Sequence, residues 1–281
     1  MKVGVRLTLH EGDNILQKFQ DVADMGIYSC QLCVWSQKLM LSDEVASEVV
    51  ESSKKTGVEI SGLWAGWSGP CEWNFNVGPA VLGLVPAAYR GMRTNELIVA
   101  SGFAEKIGVT DIITHCGFIP ENPNDPDFMG VVGALRRICN VMLPRGQYFL
   151  FETGQETPIT LVRTIEAVGT GNLGINLDTG NLVLYGKANP VDALDVFGKY
   201  VRNTHCKDGF YPTTGNDLGE HCQIGEGKVD FKKLIARLNE LGYTGALTIE
   251  REISGEQQIK DIIEGREFLE KILDEQGIPK N

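Results

Sequence analysis

The chain has 281 residues, of which 42% are hydrophobic and 22% charged, which supplies a full core and excludes a disordered chain. Its 26 Lys and Arg stand against 37 Asp and Glu, a net charge of −11 that repels a phosphate backbone and argues against a nucleic-acid partner. No apolar run approaches the roughly 18 residues of a membrane span, no signal sequence follows Met1, and the seven scattered cysteines suggest no disulfide framework, so a cytoplasmic protein with reduced thiols and no membrane contact is expected.

Short apolar or β-branched runs recur along the chain, each followed by an amphipathic stretch, the pattern of parallel strands joined by crossover helices. Residues 3–7 read as the first strand, followed by a helix over 13–25 with Ile15, Leu16, Phe19, Val22 and Ala23 on its apolar face and Gly26 at its end. The second strand, 29–34, leads to a helix opened by Ser42 as N-cap and closed by Gly57. The third, 59–65, precedes an insertion rich in Gly, Pro and Trp that delays the next helix to 92–107; a connection that long is read as functional. Strands over 111–115, 147–152, 173–178, 201–206 and 246–250 follow, with helical patterns at 131–142, 160–168, 190–197, 231–241 and 257–273. Eight such units predict the closed (β/α)8 arrangement of a TIM barrel, one α/β domain over residues 1–281. The rival, an open doubly wound sheet, would carry a glycine-rich nucleotide turn after the first strand, and the sequence has none.

Functional groups in such a barrel sit at the carboxyl ends of the strands. The last four strands carry Glu152, Asp178, His205 and Glu250 there. Three carboxylates and an imidazole crowded at one mouth need a counter-charge, because desolvating each ion costs several kcal/mol. A divalent cation supplies it, and the oxygen-rich set suits Mn²⁺ first, with Mg²⁺, Co²⁺ or Zn²⁺ as alternatives. A single Asp after a strand can be only a helix N-cap, and Asp178-Thr-Gly has that look, but capping does not call for a histidine in the group.

The segments Phe-Glu152-Thr, Leu-Asp178-Thr-Gly-Asn181, His205-Cys-Lys207-Asp208, Ile-Gly225-Glu-Gly227-Lys-Val-Asp230-Phe and Thr-Ile-Glu250 resemble the xylose-isomerase-like TIM-barrel superfamily, and the resemblance covers nearly the whole chain. That group contains sugar phosphate isomerases and epimerases, ketose 3-epimerases, inosose dehydratases and the endonuclease IV type of DNA repair enzyme. The resemblance implies that Glu152, Asp178, His205 and Glu250 bind one divalent metal. It also implies that Glu152 and Glu250 form the acid/base pair that moves a proton next to a carbonyl through an enediolate. The extra histidines of the endonuclease branch are missing, with Asn181 and Gly219-Glu220-His221 at their positions, so an endonuclease IV-like activity is disfavoured. Ketose 3-epimerases carry a histidine in place of Asn181 and an arginine where Gly209, Phe210 and Tyr211 lie, which sets this chain apart from simple free-ketose epimerases. The resulting reading is a metal-dependent isomerase or epimerase of a sugar or keto-sugar derivative. A lyase or dehydratase acting on an oxo-sugar or inosose is the alternative, and a non-catalytic sugar-binding barrel is a third. The family habit of forming dimers or tetramers leaves a homo-oligomer as an expectation.

Further residues are candidates for substrate contact, each with a plainer reading beside it. His115 closes the fourth strand and either bonds a sugar hydroxyl or is a buried structural histidine. Lys207, two residues beyond His205 and so on the same strand face, either binds substrate or pairs with an acid such as Asp208. His221 precedes the Gly225 segment and is either site-facing or a surface-loop residue. Trp64 and Trp67, with Trp73, Phe75, Tyr89 and Arg90, make the insertion either a lid over a sugar or packing on the barrel rim or a second subunit. Glu156, with Gln155, follows Glu152 closely enough to reach substrate hydroxyls.

Overall fold

The computed structural model describes residues 1–280. Eight strands close into a parallel barrel: β1 (Lys2–Leu9), β2 (Ser29–Val34), β3 (Glu59–Ala65), β4 (Asp111–Thr114), β5 (Tyr148–Glu152), β6 (Leu173–Asp178), β7 (Val201–Cys206) and, after the ribbon β8 (Asp208–Gly209) with β9 (His221–Cys222), β10 (Ala246–Ile249). Each barrel strand pairs with its chain neighbour, and β10 closes on β1 with Lys2 opposite Ala246. Among the described residues there are eleven α-helices: α1 (Ile15–Asp24), α2 (Gln37–Leu41), α3 (Asp43–Thr56), α4 (Gly78–Val81), α5 (Ala87–Lys106), α6 (Pro126–Met142), α7 (Pro158–Val168), α8 (Thr179–Leu184), α9 (Pro190–Phe197), α10 (Phe231–Glu240) and α11 (Glu256–Glu275). The expected eightfold alternation is therefore present. No helix among the described residues is long and apolar enough to cross a membrane, and all seven cysteines are free thiols.

Local signals account for most helix ends. The Ser42 hydroxyl accepts from the Val45 amide to start α3, and Gly57, at φ +75°, ends it. Asn14 caps α1, which buries Ile15, Phe19 and Val22. The helix expected from 131 begins five residues earlier, because Asp125 accepts from the Asp127 amide and Pro126 takes the first helical position. The short helices α2, α4 and α8 and the ribbon β8–β9 were not anticipated; none is long enough to show an apolar period.

The main core fills the shell between strands and helices, whereas the barrel interior holds a small apolar group of Cys33, Trp64, Ile113 and Leu150. Polar side chains of the barrel strands are buried as well, among them Gln31, Asn176, Asn203 and Thr248. β2 and β6 are buried at every position. Each also slips register once, β2 against β3 between Cys30 and Gln31, and β6 against β7 between Ile175 and Asn176.

The insertion between β3 and α5 is pinned to the barrel rim by Arg93, which is wholly buried. Its guanidinium donates to the carbonyls of Ser68, Pro70, Val81 and Gly83 at 2.6–3.1 Å and lies 3.9 Å from the centre of the Trp67 ring. Gly83, at φ +64°, runs so close to β4 that a Cβ would fall 2.1 Å from the Cys116 carbonyl carbon.

Candidate metal centre and active site

Glu152 ends β5, Asp178 ends β6, His205 is the penultimate residue of β7, and Glu250 follows β10, so the barrel brings four side chains from four adjacent strands to one mouth. One donor atom from each lies within 4.8 Å of the others, and all four residues are buried. His205 Nδ1 stands 2.8 Å from Glu152 Oε1, 3.3 Å from Glu250 Oε2 and 3.6 Å from Asp178 Oδ2. Asp178 divides its two oxygens: Oδ1 accepts from the Asn181 amide at 2.7 Å and caps α8, while Oδ2 is buried with no hydrogen-bond partner. The cap and the ligand expected of this residue are thus compatible. An orphaned carboxylate oxygen beside two further carboxylates and an imidazole fits a divalent cation with oxygen and nitrogen ligands.

The four side chains perturb one another's protonation equilibria. Burial works against the charged form of His205, but the charges of Glu250 and Glu152 and the hydrogen bond to Glu152 outweigh it and hold its pKa well above the usual histidine value. Burial likewise works against an ionised Glu152, yet His115 and His205 hold it down at about 2. At Glu250 burial is overcome by Lys207, His205 and Arg6, and the carboxyl lies well below its ordinary range. Asp178 goes the other way: burial raises it to about 7.

The two glutamates have unlike surroundings. Glu250 is clamped by cations, with Arg6 Nη1 3.0 Å from Oε1 and Lys207 Nζ 3.4 Å from Oε2. Glu152 has no Lys or Arg beside it: it accepts from the Trp64 indole N–H and lies 2.8 Å from His205 Nδ1 and 3.3 Å from His115 Nε2, whose pKa burial lowers. Lys207 also pairs with Glu252 at 2.5 Å. It does not pair with Asp208, the plain alternative from sequence. The Asp208 carboxylate instead accepts from the amides of Gly209, Gly225, Gly227 and Val229 and moulds the glycine-rich loop. Gly180 makes room for Lys207, since a Cβ there would fall 2.5 Å from Lys207 Cγ.

A cavity of about 170 Å³ opens on the cluster, lined by Glu152, Glu250, His115, Lys207 and Trp64 among others. Trp67, Glu156 and His221 do not line it. Trp67 lies under Arg93 and edge-on to Trp35. His221 is half-buried in β9 with Nδ1 3.3 Å from Arg251 Nη1, and burial with Lys207 and Arg251 lowers its pKa to about 3. Glu156 is 2% exposed behind Glu152. From the insertion, Trp73 reaches the cavity and packs on His115 at 4.9 Å. Arg6, Trp35, Tyr185 and Glu252 line the cavity without having been singled out from sequence. Asn181, noted there only as a departure from other branches, lines it as well.

A closed parallel barrel with three carboxylates and an imidazole at the carboxyl ends of its last strands is a barrel equipped to hold a divalent cation beside a small polar ligand. The chain belongs to the xylose isomerase-like TIM barrel family, whose sequence profile matches residues 19–272. It is similar to the crystal structure of a xylose isomerase domain protein from Planctomyces limnophilus, with a TM-score of 0.90, 30% identity and 97% of each chain covered. D-psicose 3-epimerase with D-tagatose from Clostridium cellulolyticum H10 shares the fold at a TM-score of 0.71 and 15% identity, covering 97% of this chain and 99% of that one. The probable 3-DHS dehydratase AsbF from Bacillus anthracis does so at 0.71 and 18%, covering 96% and 99%. An uncharacterised protein of Methanocaldococcus jannaschii is 26% identical over 178 residues, 63% of this chain, and the match spans about half of that relative's length, 50%.

Proposed function

We propose that the chain is a divalent-metal-dependent isomerase or epimerase of a sugar or keto-sugar derivative. The observation that carries this reading is the pair Glu152 and Glu250, two carboxylates lining one cavity and both reaching the Nδ1 atom of His205. A cation held by Glu152, Asp178, His205 and Glu250, with Mn²⁺ first among candidates, would polarise the carbonyl and hydroxyl oxygens of a bound substrate. The chain's own residues then do the proton work. One glutamate takes the proton from the carbon next to the carbonyl, and the other returns it to the resulting enediolate; positioned acid–base pairs of this kind contribute roughly 10²–10⁴-fold each. Return to the opposite face of the same carbon gives an epimer, and return to the neighbouring carbon gives an isomer. His115 and Lys207 hold substrate oxygens, and Trp64 and Trp73 lie against its C–H face and keep water out.

The second reading is loss of water from an oxo-sugar or inosose at the same centre. It is favoured by Asn181 standing where the 3-epimerases of the resemblance carry histidine, and by the fold shared with a dehydratase. The test is incubation of the Mn²⁺-loaded protein with candidate ketoses, oxo-sugars and inososes in D₂O. Deuterium in a product of unchanged composition supports the first reading; a dehydrated product replaces it with the second. Tight sugar binding without exchange or product replaces both with a non-catalytic sugar-binding barrel.

A further inference from the structure

His205 has a second nitrogen, and its partner comes from the far side of the barrel. Nε2 lies 2.5 Å from Oε1 of Gln31, a residue of β2 that is 0% exposed and separated from His205 by 174 positions in sequence. The Gln31 amide nitrogen in turn donates to Oδ1 of Asn176 on β6 at 3.1 Å, also wholly buried. A line of hydrogen bonds therefore runs from β7 through β2 to β6. Its two amide residues stand exactly where β2 and β6 slip register, at Cys30/Gln31 and Ile175/Asn176. Such slips re-aim a side chain that a regular pleat would send elsewhere. Burying two primary amides is costly, the more so as Asn176 Nδ2 finds no partner, so the arrangement calls for a reason.

We infer that Gln31, steadied by Asn176, is a positioning residue that accepts the Nε2–H of His205 and thereby presents the lone pair of Nδ1 to the metal centre. The inference rests on the proposed metal role of His205 and adds the group that aims it. Neutral imidazole carries one proton, and a ligand nitrogen must be bare. With Nε2–H donated to Gln31 Oε1, Nδ1 is the free nitrogen, and it is the one that faces Glu152, Asp178 and Glu250 at 2.8–3.6 Å. The reverse polarity, with the Gln31 amide donating to Nε2, would put the proton on Nδ1 and close the site. Acceptors that hold the non-ligating nitrogen of a metal-bound histidine typically account for 10–100-fold in metal affinity.

Two near-isosteric variants separate the possibilities. Gln31→Met keeps the volume but has no acceptor, and it is expected to lose 10–100-fold in Mn²⁺ affinity by calorimetric titration of the purified protein. Gln31→Glu can only accept and is expected to bind Mn²⁺ at least as tightly as the wild type. Wild-type affinity in a folded Gln31→Met protein, or equal loss in both variants, overturns the inference. A second readout is taken on the Mg²⁺-loaded protein, where a ligand imidazole carries a single proton. In long-range ¹H–¹⁵N spectra of the protein's four histidines, His205 Nε2 is expected to carry an exchange-protected proton that Gln31→Glu retains and Gln31→Met loses. An unprotonated Nε2 in the wild type overturns the inference. A wild type that binds no Mn²⁺ while its Nε2 proton is protected by Gln31 removes the metal reading of the centre and with it the role assigned here.

Discussion

Glu156 is a carboxyl that folding disfavours in its charged form, and the cost can be measured. It is 2% exposed, neither oxygen has a hydrogen-bond partner, and only its own amide and the charge of Lys187 favour ionisation. Burial pushes its pKa from 4.5 to about 8. The folded protein thus keeps a proton that the unfolded chain releases, so stability falls as pH rises from about 4.5 towards about 8 and the full penalty stands above that. Glu156→Gln preserves the shape and removes the titration. In metal-free protein, the variant should gain about 4 kcal/mol over the wild type between pH 5 and pH 9, the integral of that proton uptake. Urea denaturation of both proteins at both pH values, analysed with a common slope, gives the double difference and cancels every other titrating group. A double difference under about 1 kcal/mol would refute the reasoning and mean that the carboxyl is hydrated or paired in solution.

Other expectations follow from the same geometry. Glu152→Gln and Glu250→Gln should each lower turnover by about 10³-fold or more and weaken Mn²⁺ binding, and near wild-type rates in both would remove the proton-transfer assignment. Mn²⁺ at about a hundred times its dissociation constant should stabilise the protein by about 2.7 kcal/mol, reversibly with EDTA; no shift in Tm with Mn²⁺, Mg²⁺, Co²⁺ or Zn²⁺ would count against the centre. Arg93→Met strips donors from four carbonyls of the insertion and should cost about 3 kcal/mol or more by urea denaturation, with KM rising more than kcat falls because Trp73 loses its support. A cost under about 1 kcal/mol would show that the insertion is held by its other contacts.

The barrel and its four strand-end side chains were legible because each depends on local order: an apolar run, then a chemical group, repeated at the spacing of a strand–helix unit. The residues around them were not legible for a physical reason. Periodicity reports a strand with one wet face, and β2 and β6 are buried on both, so Gln31 and Asn176 look like ordinary polar interruptions until the barrel closes. Arg6 on β1 has the same disguise; only the pairing of β1 with β10 puts it beside Glu250. Lys207 pairs with an acid, as its plainer reading has it, but with Glu250 and Glu252 and not with the neighbouring Asp208, whose carboxylate is taken by the Gly209 amide and by three amides 17 to 21 residues away. Trp64, the penultimate residue of β3, lines the cavity, whereas Trp67, three residues on in the insertion, lies under Arg93 and does not.

Asp178 is a hinge pin shared by two structures. The oxygen facing the centre and the oxygen that starts α8 belong to one rigid carboxylate, and α8 with the residue after it supplies Asn181, Leu184 and Tyr185 to the cavity wall. A cation held at Oδ2 would pull on the same carboxylate that starts α8, so the proposed centre and this part of the cavity wall share one mechanical joint.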